Sequence, residues 1–317
     1  MRIVQLEGES IIADMRRPRF VHDCVEYPKT ASADVVERLR GASVAITNKV
    51  PIDAAAVHSL PELKMIAVSA TGTNNVDLAA CRERGIVVSN VRGYAERTVP
   101  EHVMALLLAL SRNLVAWRES LLAGRWQQSE QFCLFDHPIR DLHDSTLAIV
   151  GSGSLGNGVA RLAEAFDMRV WRAERKVAAT VRPGYVAFER VLAEADAISL
   201  HCPLNDETRG LFGEAELRAM KPTALLINTA RGGIVDEAAL IRALKEGWIG
   251  GAGFDVITAE PPPAGHAMVD PALLALPNFL LTPHVAWSSR PAMQALADQL
   301  IANIEAWAAG EPRNRVA

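Results

Sequence analysis

Aromatic side chains make up only 5% of this 317-residue chain. That is too sparse for the stacking platforms that hold single-stranded nucleic acid. Neither sign of charge dominates: 33 Lys and Arg face 37 Asp and Glu, a formal net charge of −4. No basic stripe remains to track a phosphate backbone, so nucleic acid is excluded as a partner. Long apolar runs are missing as well. The densest, Val103 to Leu110, falls far short of the ~20 residues of a membrane helix, so no membrane association is expected. The first ten residues turn acidic before any extended apolar stretch, unlike a secretory leader. The four cysteines, Cys24, Cys81, Cys133 and Cys202, form no Cys-x-x-Cys pair. This argues against structural zinc and a disulfide framework, and predicts reduced thiols in the cytoplasm. Fixed-period repeats and low-complexity tracts are also lacking, which excludes a solenoid.

What is present is apolar substance. Half the residues are hydrophobic and 22% are charged, enough burial to offset the entropy of ordering. At roughly 100–200 residues per domain, two domains are expected. In the first third, Arg2–Leu6, Val21–Tyr27, Ser43–Thr47, Met65–Ser69 and Ile86–Ser89 read as strands. Ala33–Arg40 and Asp77–Arg84 read as helices closed by Gly41 and Gly85. A long helix is predicted from Thr98 to Gly124, with Thr98-x-x-Glu101 as its capping box. A second alternating series has strands at Thr146–Val150, Met168–Trp171, Ala197–His201, Ala224–Thr229, Gly251–Val256 and Phe279–Thr282. A helix from about Ala292 to Ala309 closes the chain. Strand–helix alternation implies right-handed βαβ units and parallel sheets.

The strand Thr146–Val150 runs straight into Gly151-Ser-Gly153-Ser-Leu-Gly156 and a helix from Leu155 to Phe166. In that context Gly-x-Gly-x-x-Gly is a dinucleotide loop. Gly151 permits the tight turn, Gly153 lets backbone approach a pyrophosphate, and Gly156 allows close helix–strand packing. Glu174 stands 23 residues past Gly151, near the offset of an acid that binds the adenosine ribose. A carboxylate there favours NAD, while Arg172, Arg175 and Lys176 around it keep NADP open.

Three residues can carry chemistry. Arg231, in Asn228-Thr-Ala-Arg-Gly-Gly, lies just past the carboxyl end of a strand, where doubly wound sheets bind ligands. Its planar guanidinium suits a carboxylate. Glu260 and His284 follow the next two strands, and a histidine held by a carboxylate suits acid–base work. No His-x-x-x-His spacing suggests a metal, and no Gly-x-Ser-x-Gly elbow suggests a hydrolase. His201 is expected to shape the adenine pocket.

These segments, with His201-Cys-Pro-Leu204, Met220-Lys-Pro, Phe254-Asp-Val and Thr282-Pro-His284, resemble the D-isomer-specific 2-hydroxyacid dehydrogenases. Ala70-Thr-Gly-Thr-Asn-Asn-Val-Asp77 and Asn90 to Glu101 match the family's amino-terminal part. Thr47-Asn-Lys-Val-Pro51, the Ala173–Lys176 stretch and Ala286-Trp287 look most like its glycerate dehydrogenase (hydroxypyruvate reductase) branch. The resemblance implies an α/β protein of two doubly wound parallel sheets. A Rossmann dinucleotide domain (99–289) is inserted into a flavodoxin-like substrate domain (1–98 and 290–317), and homodimers pair through the dinucleotide domain. It implies that Arg231 binds the carboxylate of a small 2-oxo acid, that His284 is the acid–base group, and that Glu260 holds it protonated. Asp255 would contact the nicotinamide carboxamide, with Thr229 and Ala230 along the ring. Ser154, Leu155, Glu174, Cys202, Pro203 and Thr208 would be further cofactor contacts. Backbone N–H groups of Ala70, Thr71 and Gly72 would complete the carboxylate site. Glu174 departs from the family's commoner Asp. Other 2-oxo acid reductases of the family, such as lactate or phosphoglycerate dehydrogenase, and an NAD-sensing corepressor are the alternatives. A formate dehydrogenase is disfavoured because Glu260 stands where those enzymes carry Gln.

Overall fold

The computed structural model describes residues 1–317, which divide into two compact units: 1–95 with 288–317, and 96–287. The first unit is a five-stranded parallel sheet of β1 (Arg2–Gln5), β2 (Asp23–Glu26), β3 (Val44–Thr47), β4 (Met65–Val68) and β5 (Val87–Ser89). Its order is β2-β1-β3-β4-β5, the flavodoxin-like sequence of strands. β3 and β4 are buried along their whole length, which is why they read as continuous apolar runs rather than alternating ones. Helices α1 (Val35–Leu39), α2 (Ala54–Ser59) and α3 (Leu78–Glu83) connect them. Asp53 and Asp77 cap α2 and α3 by accepting from Ala56 N and Ala80 N. Sequence reasoning did not anticipate α2. It is a six-residue helix packed on α3, too short to carry a legible apolar period.

This sheet changes direction between β1 and β3, and an acid sits there. The buried carboxylate of Glu7, just past β1, accepts N–H groups from the loop after β3. Asn48 N lies at 3.0 Å and Val50 N at 3.0 and 3.1 Å, and Lys49 N also donates.

The second unit begins with α4 (Thr98–Ser111), α5 (Leu114–Leu122) and α6 (Arg125–Gln128). The long helix expected over 98–124 is therefore broken. Asn113 adopts a left-handed φ of 51°, and α4 and α5 are bent by 53° to each other. Asparagine is among the few residues that visit this conformation readily. Thr98 is not a cap either: Arg97 holds the N-cap position with no side-chain bond, and Thr98 Oγ1 donates to Ala286 O. No single helix is long and apolar enough to cross a membrane, and α4 spends its apolar side on the sheet.

Six parallel strands follow: β6 (Thr146–Val150), β7 (Arg169–Arg172), β8 (Ala197–Leu200), β9 (Leu225–Asn228), β10 (Gly251–Phe254) and β11 (Phe279–Leu281). They lie in the order β11-β10-β9-β8-β6-β7. A one-residue bridge from Ala173 to Val186 extends the β7 edge. Counting it as a strand gives the 3-2-1-4-5-6 Rossmann order with one strand added beyond it. Each strand is covered on both faces. Leu147, Ile149, Leu225 and Ile227 face α4 and α7 (Ser154–Ala165). Ala148, Val150, Ile198 and Leu226 face the side of α8 (Phe188–Glu194), α9 (Glu214–Ala219) and α10 (Glu237–Glu246). The short α11 (Pro271–Leu274) precedes β11. The chain returns to the first unit as α12 (Arg290–Ala308), capped by Ser289 and packed on β4. The boundaries between the units fall at 95/96 and 287/288.

Candidate active site

In the second unit the sheet switches direction between β6 and β8, and the glycine loop lies there. Gly151 has φ +98°, and a Cβ on it would stand 2.6 Å from Cys202 N. The loops after β6 and β8 are thus in backbone contact, which only glycine permits. A Cβ on Gly156 would meet Gly151 O at 2.2 Å, so α7 begins as close to β6 as a helix can. Gly153 differs: its Cβ position faces open space. It is the N-cap of α7, and Ser154 and Leu155 form the first turn behind it. That helix end offers free N–H groups and the positive end of a dipole, both suited to a pyrophosphate.

Beside this loop lies a cavity of about 430 Å³, lined among others by Ser152, Glu174, Cys202, Pro203 and Thr208. Thr208 Oγ1 donates to Pro203 O at 2.6 Å and fixes the rim. Burial pushes the Cys202 thiol up to about 11, so it lines the cavity as a neutral group. His201 packs behind the cavity wall, its ring bonded to Ser199 Oγ at 2.8 Å and lowered by burial to about 4.

Glu174 reaches the cavity, but its carboxylate is already taken. Arg182 grips it with Nε to Oε2 and Nη2 to Oε1, both at 2.7 Å. Arg182 N and Arg175 N add bonds at 3.0 and 2.9 Å. Held by Arg182 first and the backbone donors next, the carboxyl falls to about 2. Four donors fill its four acceptor positions. Sequence reasoning missed Arg182, eight residues downstream. The pairing depends on the loop that brings Val186 back to Ala173.

Arg231, Glu260 and His284 leave the carboxyl ends of the adjacent strands β9, β10 and β11. His284 Nδ1 and Glu260 Oε2 are 2.5 Å apart, a charge-assisted distance. The other oxygen, Oε1, accepts Ile257 N at 2.9 Å and orients the carboxylate. His284 itself has φ +55°, a conformation unfavourable for histidine by about 1 kcal/mol or more. Its N–H to Asp255 O (2.8 Å) and its carbonyl to Trp287 Nε1 (3.0 Å) hold it there.

Asp255 directly follows β10. It is 1% exposed, and its carboxylate accepts Thr282 Oγ1 (2.5 Å), Val285 N (2.9 Å) and Ala286 N (2.9 Å). The acid thereby braces the His284 loop. His102, from α4, bonds the same Thr282 hydroxyl at 2.9 Å.

Asn228, fully buried at the end of β9, braces the arginine loop. Its side chain accepts Ala230 N and donates to Arg231 O, each at 3.0 Å. A Cβ on Gly232 would meet Ile257 O at 1.9 Å. This glycine therefore seats the arginine loop on the glutamate loop. Arg231 Nη1 donates to Ala230 O at 2.6 Å, and no acid of the chain pairs with the guanidinium. Thr229 Oγ1 is buried without a partner, a vacant donor beside the arginine that a ligand amide could use. In the first unit, Ala70, Thr71 and Gly72 follow β4. Thr71 Oγ1 donates to Val91 O at 2.9 Å and Asn90 Nδ2 donates to Thr71 O at 2.7 Å.

A helix N-terminus open to phosphate, an orphaned threonine and a carboxylate-bound histidine beside an unpaired arginine fit one chemistry: dinucleotide-dependent oxidation and reduction of a small anion. The class is that of the nicotinamide-dependent oxidoreductases. The family model of the D-isomer-specific 2-hydroxyacid dehydrogenase NAD-binding domain matches residues 104–286. The chain is 50% identical to the glycerate dehydrogenase of Methylorubrum extorquens, over 99% of this chain and 98% of the other. It is 30% identical to the hydroxypyruvate reductase of Blautia hydrogenotrophica, over 100% and 99%. The TT0316 protein of Thermus thermophilus superposes with a TM-score of 0.85 at 34% identity, with all of both chains covered. The chain belongs to the D-isomer-specific 2-hydroxyacid dehydrogenase family.

Proposed function

We propose that the protein reduces small 2-oxo acids at C2, converting hydroxypyruvate to D-glycerate and, beside it, glyoxylate to glycolate. The 2.5 Å bond from His284 to Glu260, next to an arginine that no acid of the chain neutralises, carries this reading. Two full-length relatives, named for glycerate and for hydroxypyruvate, support the substrate class. They name the two ends of one interconversion.

Arg231 binds the substrate carboxylate and carbonyl oxygen through its planar fork. A bound nicotinamide dinucleotide supplies the hydride. His284 gives its Nε2 proton to the oxygen that becomes the alcohol, and takes it back in the oxidative direction. Glu260 keeps Nδ1 protonated and the ring oriented. Arg231 stabilises the negative charge that develops on that oxygen. Ser154 and Leu155 would hold the pyrophosphate, Cys202, Pro203 and Thr208 the adenosine, and Thr229 and Ala230 the nicotinamide. NAD is the cofactor, with NADP also accepted.

The protein is proposed to work as a cytoplasmic homodimer. Free cysteines suit a reducing compartment. Leu121, Leu122, Trp126, Phe132 and Phe135 expose an apolar surface on the second unit that a second copy would cover. The test is a rate panel of hydroxypyruvate, glyoxylate, pyruvate and phosphohydroxypyruvate with NADH and NADPH. Hydroxypyruvate is expected to give the highest kcat/KM. A clear preference for pyruvate or the phosphorylated acid would overturn the substrate assignment.

A further inference from the structure

Glu174 presents a contradiction that the dinucleotide reading leaves open. An acid at this position ordinarily accepts the ribose hydroxyls and repels a 2′-phosphate. Here the carboxylate is closed by two side-chain and two backbone donors. The guanidinium of Arg182 is itself fixed: it stacks 3.9 Å from the centre of the Tyr185 ring, and the Tyr185 hydroxyl bonds Ser152 Oγ at 2.7 Å within the glycine loop. Arg182 is thus a pre-organised fork on the acid and not a loose surface cation.

The rest of the cavity wall follows the same arithmetic of charge. Lys176 is paired with Glu216 at 2.8 Å. Glu207 lines the cavity, and so does Arg175, whose side chain has no acid partner. With Glu174 cancelled by Arg182 and Lys176 by Glu216, the unpaired charges on the wall are Arg175 and Glu207. Arg175 neighbours Glu174 in the chain. No uncompensated carboxylate therefore remains at the Glu174 position to repel a phosphate.

We propose that Arg182 sets cofactor choice by neutralising Glu174, so that this subsite admits a 2′-phosphorylated adenosine as readily as an unphosphorylated one. The inference rests on the cavity being the adenosine site of the dinucleotide. Arg182 acts through Glu174, and the carboxylate is the group it removes from play.

Two fragments that carry no nicotinamide test this without turnover: ADP and 2′,5′-ADP, each titrated by calorimetry into the full-length protein. The unmodified protein is expected to bind both, with dissociation constants within about tenfold of each other. R182M should weaken 2′,5′-ADP at least tenfold while ADP changes less than threefold, because the freed carboxylate now repels the extra phosphate. E174Q/R182M should recover most of the lost 2′,5′-ADP binding. E174Q alone, which keeps Arg182, should leave ADP within threefold and bind 2′,5′-ADP at least as tightly as before. An unchanged ratio in R182M overturns the proposal, as does a double variant no better than R182M. If E174Q loses ADP tenfold, Glu174 is the ribose ligand after all. Should neither fragment bind the unmodified protein, the adenosine site itself is misplaced, and the proposal falls with it.

Discussion

Glu260→Gln separates the charge of the acid from its shape. Glu260 has two donors to satisfy: Ile257 N–H at 2.9 Å on Oε1 and His284 Nδ1 at 2.5 Å on Oε2. Glutamine has one acceptor oxygen. If that oxygen keeps Ile257, its NH2 faces Nδ1–H; if it turns to His284, its NH2 faces the Ile257 N–H. Either way one donor meets another. A charge-assisted bond becomes an unmade one, a loss of about 2–3 kcal/mol. With that bond unmade the ring is no longer held where it delivers the Nε2 proton, so the loss falls on reaching the reactive arrangement and not on the resting complex. The expected result is a fall in kcat of about 30- to 150-fold. KM for hydroxypyruvate should hold within threefold if Arg231 grips the carboxylate as proposed. Initial rates followed by NADH absorbance, with hydroxypyruvate varied at saturating NADH, give both constants. A kcat within threefold of the unmodified enzyme would refute the reasoning. So would a rise in KM with kcat intact, which would make Glu260 a binding group.

Arg231→Met should raise KM for hydroxypyruvate at least 100-fold and lower kcat as well, because the guanidinium serves both ground state and developing alkoxide; steady-state kinetics decide, and an effect on neither constant removes it from the site. His201 makes stability depend on acid. Its pKa falls from 6.5 to about 4 on folding through burial, so only the unfolded chain takes up a proton between those values. Stability is therefore flat in this residue above pH 6.5 and declines as pH drops toward 4, by about 3 kcal/mol at most. Thermal melts of the native protein and His201→Gln between pH 4.5 and 8 should show a shallower acid decline in the variant; identical slopes would refute this. Finally, a Leu122→Glu/Phe135→Glu double variant should run as a monomer in light-scattering chromatography where the unmodified protein runs as a dimer.

Much of this was legible in the chain. Buried parallel strands announce themselves as short apolar runs, so all eleven appear in the sequence with their ends shifted by at most two residues. The glycine loop was readable because three glycines, a strand and a helix answer one steric problem. The strand-end positions of His284, Glu260 and Arg231 could be read because each follows a strand of the same sheet. What stayed hidden depends on bonds between distant residues. Nothing local to Asp255 says that it anchors Val285 and Ala286, thirty residues on. Arg182 is invisible as Glu174's partner until the loop between them is folded. The break at Asn113 was masked by an apolar pattern that continues through both helices, where one left-handed residue outweighs the periodicity.

Glu7 has a consequence for ligand choice. Two doubly wound sheets in one chain mean two places where successive backbone N–H groups converge on an anion. In the second unit that place is left to a visitor. In the first, the chain carries its own occupant, a carboxylate tethered two residues beyond β1 and bound by the N–H groups of residues 48–50. A free phosphate would have to evict a competitor that cannot diffuse away. The N–H groups of that loop are satisfied from within the chain itself.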